Sequence, residues 1–552
     1  MPSRDYPAVH GSPPDNAEIA ARLDQFASLL ELAGAGPYTA RAYRRAAELI
    51  RSTPAPVAEL VRQGRARELR GIGPGIERRL RELVETGEIE ELRELERDVS
   101  PELAGLARFL GVSVKRMLEI GKTLGVRTLD ELREAAAAGQ LQEVPGIGPE
   151  TERKLQAALA RDPGTRSVAP RPLLLTRSRP LVESIAEALG GIAAGDPRRW
   201  RDASERLAVV VPGDSSVLER FEALPEIVAV VERGERRALG VTVDGVPIEL
   251  VVAEPERLGT ELVRATGSPE WVALHEPLPD AADEEGVFEA LGLPFVPPEL
   301  REAGVSASGP LVEVADIRGD LHCHSNWSDG KAAILEMGRA ARDRGYEYLA
   351  ICDHTVSVGA VQGLDADAVR RQAEEVAAAN EELAPFRLLH GTECDIRRDG
   401  ELDLPEDVLA GLDWVQASVH GGQRGSREEL TRRVLTALES PYVSCLSHPT
   451  GRLINHRPPN AVDLGAVFAR LAEQGRAVEV NGLANRLDLR DEHVRLARAA
   501  GVAIVCSTDA HSTRGLGNIE LSVATARRGG AGPSDVLNTR SLDEVLQRRF
   551  GA

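Results

Sequence analysis

Apolar residues between Ala17 and about Ala160 recur at three- and four-residue spacing, as in Ile19, Leu23, Phe26, Leu29 and Leu30. That is the period of helices with one buried face, and it predicts an all-α region. The stretch RDPGTRSVAPRP at 161–172 breaks the pattern and reads as a linker. Residues 173–300 mix helical segments with short apolar runs: LAVVV at 207–211, IVAVV at 227–231 and PIELVVA at 247–253. They predict an α+β unit with a small sheet. After a second linker at about 302–316, short apolar segments alternate with amphipathic helices. The strands are expected at 317–323, 347–352, 387–393, 413–419, 442–447, 477–481 and 502–507. Such alternation implies a parallel sheet, and seven units suggest a closed barrel. Residues 1–15, rich in Pro, Gly and polar side chains, are expected to be a disordered tail.

The 552 residues are too many for one core and suggest three to five domains at roughly 150 residues each. No apolar run approaches the ~20 residues that span a bilayer. The first residues lack the basic-then-apolar pattern of a signal peptide. The expectation is a cytoplasmic protein with no membrane partner. The net charge of −20 is uneven: residues 1–160 carry 23 Lys+Arg against 25 Asp+Glu, which leaves −18 for the rest. Bulk charge therefore does not make this a nucleic-acid binder; contact with DNA needs local devices or bound cations.

Of the 11 His, nine fall between 322 and 511, and six of those occupy similar contexts. The segments are D-L-H-C-H at 320–324, S-D-G at 328–330, C-D-H at 352–354, G-T-E-C-D at 391–395, S-V-H at 418–420, L-S-H-P at 446–449 and S-T-D-A-H at 507–511. Nearly all lie at the C-terminal ends of expected strands, the rim where (β/α) barrels build active sites. A His-x-His on a strand puts both imidazoles on one face. Mixed imidazole and carboxylate ligands suit zinc, manganese or iron better than calcium. A lone His-x-His is weak evidence of a site; seven ordered segments are strong. His10, His275, His390, His456 and His493 lie outside these contexts and are read as ordinary, although His456 is near enough in sequence to approach a substrate. The five Cys form no C-x-x-C pair. They are expected to be small buried strand residues, with Cys323 facing away from His322 and His324.

These segments resemble the PHP family (polymerase and histidinol phosphatase), a distorted (β/α)7 barrel with a trinuclear metal site. The resemblance implies that His322, His324, Glu393 and Asp509 hold one divalent ion. Glu393, His420 and His448 hold a second, and Asp329, His354 and His511 a third. Manganese is favoured, with zinc or iron as alternatives. His322, His324, Glu393, Asp509 and Arg452 are the catalytic candidates. Arg452 and Arg486 are each either a phosphate grip or a structural salt-bridge residue.

Two other segments echo each other 75 residues apart: L-R-G-I-G-P-G-I at 69–76 and V-P-G-I-G-P-E-T at 144–151. Each precedes a helical stretch bearing Arg or Lys. This is the helix-hairpin-helix pattern, in which glycines admit a phosphate to N–H groups at a helix start. Gly71, Gly73, Gly75, Gly146 and Gly148 are thus candidate contacts to DNA, in a mode blind to sequence.

Over roughly 17–545 the chain is similar to bacterial family X DNA polymerases. The matching segments include P-Y-T-A-R-A-Y-R-R-A-A at 37–47, A-T-G-S-P-E at 265–270 and E-A-L-G-L-P-F-V-P-P-E-L-R-E at 289–302. The similarity implies a helix-hairpin-helix domain (16–98), a fingers-like helical domain with the second hairpin (99–165), a palm and thumb (172–300) and the PHP domain (317–552). The palm departs from the family. Where an Asp-x-Asp pair should clamp metals, Arg206 and Ala208 stand; the third carboxylate is Glu249. Gly195-Asp196 replaces a Gly-Ser turn that cradles nucleotide phosphates. Lysine is nearly absent, and Arg79 stands where a Schiff-base lyase lysine would; a guanidinium cannot act as that nucleophile. The expectation is a 3′-5′ exonuclease of DNA repair, with abasic-site endonuclease or 3′-phosphatase activity possible on the same site, acting on gapped or 3′-ended DNA from an inactive polymerase scaffold. The rivals are a working gap-filling polymerase, a histidinol-phosphatase-like enzyme and a non-catalytic DNA-binding scaffold.

Overall fold

Helical periodicity in the first third becomes two copies of one small unit. In a computed structural model, α1 (Val57–Arg62), a 3₁₀ turn at Ala66–Glu68 and α2 (Pro74–Thr86) form the first. Three intervening helices, Glu90–Asp98, α3 (Pro101–Phe109) and α4 (Val114–Leu124), lead to the second: α5 (Leu129–Ala137), a 3₁₀ turn at Gln140–Glu143 and α6 (Pro149–Leu159). The structure describes residues 14, 16–32, 37–51, 56–69, 71–98, 100–159, 172–305, 309–359 and 361–548. The expected tail, apart from Pro14, and the expected linker, apart from Pro172, lie outside the described residues.

Both units turn on a glycine of positive φ, Gly71 (+112°) and Gly146 (+81°). Pro74 and Pro149 then start α2 and α6, where a missing N–H costs no helical bond. A Cβ at Gly73, Gly75 or Gly148 would meet nothing within 4 Å. The backbone at each helix start therefore faces open space.

The apolar runs at 207–211, 227–231 and 247–253 are all strands of a five-stranded mixed sheet. Its members are β1 (Ile192–Gly195), β2 (Leu207–Pro212), β3 (Ile227–Arg233), β4 (Arg237–Thr242) and β5 (Pro247–Ala253), in the order β1-β2-β5-β4-β3. Only β2 and β5 run parallel, with Ala208 beside Glu249. Strand alternation sends Leu207, Val209 and Val211 to one helix-covered face and Ala208 and Val210 to the other. Helix α3 packs against this sheet so closely that a Cβ at Gly105 would lie 2.5 Å from Val228. Arg177 ties the sheet to the helix Asn16–Leu32 through Asp24 (2.7 Å) and Asp244 (3.1 Å).

The seven C-terminal strands are β6 (Gly319–Cys323), β7 (Tyr348–Ile351), β8 (Arg387–Asp395), β9 (Trp414–Ser418), β10 (Cys445–Leu446), β11 (Ala477–Asn481) and β12 (Ala503–Ser507). They are parallel, in chain order. At the rim β12 returns to β6: Asp509 N donates to His322 O (2.9 Å) and His324 N to Ala510 O (2.9 Å). The result is a nearly closed barrel. Strand β10 is shorter than the expected 442–447, and Pro441 just ahead of it has no N–H for a neighbouring strand. All five Cys are buried in this region and unpaired.

The middle region docks on the barrel through buried arginines. Arg199 donates to Asp196 (2.5 Å) and to Glu302 (3.0 Å). From the barrel, Arg528 donates to the Arg199 carbonyl (2.6 Å) and to Asp491 (3.1 Å).

Candidate metal centre

All nine expected ligands converge at the C-terminal rim. His322 and Glu393 end β6 and β8; the others sit in the turns just beyond β6, β7, β9, β10 and β12. Glu393, 1% exposed, is at the centre. Its carboxylate oxygens lie 2.6 Å from His448 Nε2, 2.9 Å from His354 Nδ1, 3.3 Å from His420 Nε2, 3.5 Å from His322 Nε2 and 3.7 Å from His324 Nε2. Yet neither oxygen makes a hydrogen bond of proper geometry, and His322 Nε2, His324 Nδ1 and His354 Nδ1 are also buried without one. Buried polar atoms normally find partners. A cluster of lone pairs converging without them suits a cation.

Three groups have ligand atoms within 4.8 Å of one another: His322–His324–Asp509, His354–Glu393–His420 and His324–Asp329–His354–His511. They overlap the three implied sets without reproducing them: Glu393 is absent from the first group, His354 stands in place of His448 in the second, and His324 is added to the third. His448 joins through Glu393. Two of the nine, His448 (φ +22°) and Asp509 (φ +52°), have left-handed backbone, a strain that non-glycine residues keep where the surroundings enforce it.

Burial alone would raise the acids, but the neighbouring imidazoles win. Glu393 is held well below the carboxylate range by His420, His354, His322 and His448, and Asp509 likewise by His322, His324 and Arg486. Asp329 falls to about 2, against burial, through His511, His324 and His354. The carboxylates thus stay anionic. Burial and then the charge of His354 push His324 down to about 4.

Several imidazoles are aimed by a second group. His322 Nδ1 bonds Glu479 (2.6 Å), leaving Nε2 toward Glu393. His420 Nδ1 meets Ser418 Oγ (3.1 Å) and lies 3.3 Å from Asp395. His511 Nδ1 donates to the Asp509 carbonyl (2.8 Å) and presents Nε2 to Asp329 (3.2 Å). Glu479 also accepts from Ser507 Oγ (2.5 Å) and His448 N (2.7 Å). Asp353 accepts from Ser325 N (2.8 Å), Ser328 Oγ (2.6 Å) and Gln372 (2.6 Å), setting the turn that carries Asp329. Asp320 accepts from Thr508 Oγ1 (2.5 Å), stapling β6 to the turn of Asp509; burial raises it to about 6. Sequence reasoning included Asp320, Asp353 and Asp395 in its segments without giving them a role, and passed over Glu479. Glu479 had one signal, a lone acid inside the apolar strand A-V-E-V-N.

The two arginines separate. Arg486 Nη1 is 3.7 Å from Asp509, and its Nε and Nη1 are buried without a hydrogen-bond partner. Of its two expected roles, phosphate grip or salt-bridge residue, Arg452 has the partners of the second. Its Nη1 donates to Asp202 of the middle region (2.6 Å) and its Nη2 to the Leu487 carbonyl. His275, His390, His456 and His493 join none of the three groups.

In the middle sheet the Asp196 carboxylate accepts from Glu205 N (2.8 Å), Arg206 N (3.0 Å) and Arg199. Glu249 pairs with Arg237 (2.8 Å). Arg79 is engaged by Glu82 (3.2 Å) and Glu91. At the second hairpin Arg116 Nη1 donates to the Pro145 carbonyl (2.8 Å), beside Gly146. No helix among the described residues is long and apolar enough to cross a membrane.

Three family models match: a helix-hairpin-helix domain over residues 14–89, a SAM-like helix-hairpin-helix tandem over 103–161 and a PHP domain over 320–481. The chain is 32% identical over 562 residues to a Bacillus subtilis protein named DNA polymerase/3′-5′ exonuclease PolX, covering 96% of this chain and 98% of that one. A probable phosphatase of Acetivibrio thermocellus is 29% identical over 241 residues, which cover 42% of this chain and 95% of the phosphatase. A probable phosphatase of Thermoanaerobacter sp. is 27% identical over 232 residues, or 40% of this chain and 89% of the relative.

Proposed function

Because the chain belongs to the family X DNA polymerase/3′-5′ exonuclease (PolX) family, we propose that its barrel hydrolyses DNA phosphodiesters from the 3′ end while its polymerase site is inactive. The observation that carries the nuclease is the buried Glu393 carboxylate, ringed by five imidazoles and hydrogen-bonded to none. His322, His324, Glu393 and Asp509 would hold one divalent ion, Glu393, His420 and His448 a second, and Asp329, His354 and His511 a third. Divalent ions there polarise phosphoryl oxygens and acidify water, which is the chemistry phosphodiester hydrolysis requires. The mixed imidazole and carboxylate set suits manganese, zinc or iron, and the family resemblance favours manganese.

Glu393 and Asp509 carry the negative charge that retains the ions. Glu479, the Ser418–Asp395 pair and the Asp509 carbonyl fix which nitrogen His322, His420 and His511 present. Arg486, rather than Arg452, is the phosphate grip, since its donors are free beside Asp509. Gly71, Gly73, Gly75, Gly146 and Gly148 bring DNA backbone to the starts of α2 and α6, independent of sequence. The same barrel would serve repair of abasic sites or 3′-phosphates.

The inactive polymerase rests on the middle sheet. Positions 206 and 208 offer a guanidinium and a methyl group where two carboxylates should clamp metal. The N–H donors of the neighbouring turn are taken by the protein's own Asp196. The relative's name favours a second reading, a working gap-filling polymerase. One assay decides: full-length protein with Mn²⁺ and a 5′-labelled primer on a gapped template, with and without the four dNTPs. Shortening in both lanes, lost in Asp509→Ala, supports a nuclease on an inert scaffold. Lengthening with dNTPs establishes the polymerase; no change in either lane overturns the nuclease.

A further inference from the structure

The middle region does more than sit beside the barrel. One of its side chains enters the turns that form the catalytic rim. Asp202 follows the Asp196 turn and is partly covered by the barrel. Its Oδ2 accepts from Arg452 Nη1 (2.6 Å), and Arg490 Nε lies 3.9 Å away. Its other oxygen accepts from Ala203 N (2.9 Å), and its carbonyl from Leu175 N (3.1 Å), so it is anchored in its own domain. Arg452 belongs to the turn that starts at His448, where Gly451 N donates to the His448 carbonyl (2.9 Å). Through Nη2 it also holds the carbonyl of Leu487, next to Arg486.

The two turns are laced together again by Ile454 N donating to Asn485 O (2.8 Å). A second strap reaches the first of them from the middle region: Asn455 Nδ2 donates to the Pro172 carbonyl (2.9 Å). A continuous chain of contacts thus runs from Asp202 through Arg452 to the backbone that aims Arg486. Leu487 has φ +41°, a conformation that needs such enforcement. Arg452 is 6% exposed. Without Asp202 it would be a buried cation short of its carboxylate, and the turn would rearrange to hydrate it.

We propose that Asp202 of the polymerase-like region is a positioning residue of the barrel's phosphodiesterase site, setting Arg486 through Arg452. It touches no reacting atom. The proposal rests on the nuclease reading for its kinetic consequence but not for its structural one.

The test uses full-length protein with Asp202→Asn, Asp202→Glu and, as the partner deletion, Arg452→Gln. Two readouts are taken. In hydrogen exchange, amides of 449–457 and 483–490 in Asp202→Asn should exchange at least ~10-fold faster, while β6, β8 and β12 keep wild-type protection. In Mn²⁺-dependent digestion of a 3′-recessed duplex, KM should rise ~10-fold with kcat within about twofold, because a misplaced grip weakens ground-state binding. Asp202→Glu should recover most of both effects, and Arg452→Gln should reproduce them without adding to Asp202→Asn in the double variant. Unchanged exchange in the two turns overturns the proposal. So does a fall in kcat alone with loss of bound manganese, which would mean that Asp202 supports only the metal ligands. If wild-type protein digests no DNA but the exchange result stands, the nuclease reading fails and the positioning of the turns holds.

Discussion

The barrel rim and the turn at 195–208 are both buried, both charged and both built at strand ends, but they differ in how their polar atoms are satisfied. At the rim, the two Glu393 oxygens and the inward nitrogens of His322, His324 and His354 have no hydrogen-bond partner. In the turn, the Asp196 carboxylate takes two backbone N–H groups and one guanidinium, while Arg206 Nη1 is left without a partner; on β5, Glu249 takes Arg237. A site organised for a ligand leaves its donors and acceptors open at some cost in stability. The comparison sets a rim whose central carboxylate is open to a ligand beside a turn whose carboxylate is satisfied within the protein.

The widest expected gap between the two lies in activity. Asp509→Ala should lower Mn²⁺-dependent digestion by ~10³-fold or more, since it removes a carboxylate that retains an ion. Circular dichroism should stay unchanged and bound manganese should fall. Full activity in this variant would mean that the cluster is not the catalytic centre. In the 195–208 turn the same kind of truncation should act on stability instead. Asp196→Ala leaves Arg199 buried with Glu302 as its one remaining carboxylate, at a cost of about 3 kcal/mol. The melting of the middle region should shift down by several degrees, with nuclease kcat on a small phosphodiester unaffected. A Tm equal to wild type would show that the turn is not the structural element described here.

A smaller effect should come from an orienting acid. Glu479→Gln keeps every proposed ligand but loses the charge that directs His322 Nδ1. Such partners are typically worth ~10- to 100-fold in metal affinity. Titration of the metal-free protein with Mn²⁺ would read this directly. Affinity equal to wild type would move Glu479 out of the site's support.

Much of this contrast was legible in the sequence, and the limits are instructive. The seven barrel strands announced themselves because fully buried strands are short apolar runs, and the ligands because each followed such a run. Arg206 and Ala208, on which the proposed loss of the polymerase site rests, could be read directly. Glu479 could not: its partner His322 is 157 residues away, and only barrel closure brings them within 2.6 Å. The roles of Arg452 and Arg486 were equally hidden. They lie 34 positions apart in similar turns, and what separates them is Asp202, which reaches one and not the other through domain docking. Local period predicts elements; it carries no information about which side chain of another domain will neutralise a given arginine.

The smallest effect belongs to the hairpins, and it tests whether they act apart from both regions just compared. Gly71 and Gly146 occupy left-handed backbone, at φ +112° and +81°. Alanine at either place is strained by roughly 1–2 kcal/mol, which the turn relieves by shifting the N–H groups at the start of the next helix. The hairpins of α1–α2 and α5–α6 lie in a part of the chain separate from the barrel, so the metal cluster should not register the change. For Gly71→Ala with Gly146→Ala, the Kd for duplex DNA should rise about fivefold to tenfold and the salt dependence of binding should flatten, because fewer phosphates are held. Hydrolysis of bis-(p-nitrophenyl) phosphate with Mn²⁺ should match wild type. If both substrates slow together, the hairpins are supporting the fold and not gripping DNA. If neither slows, DNA reaches the barrel by another surface, and the Arg486 rim becomes the place to seek its main contact.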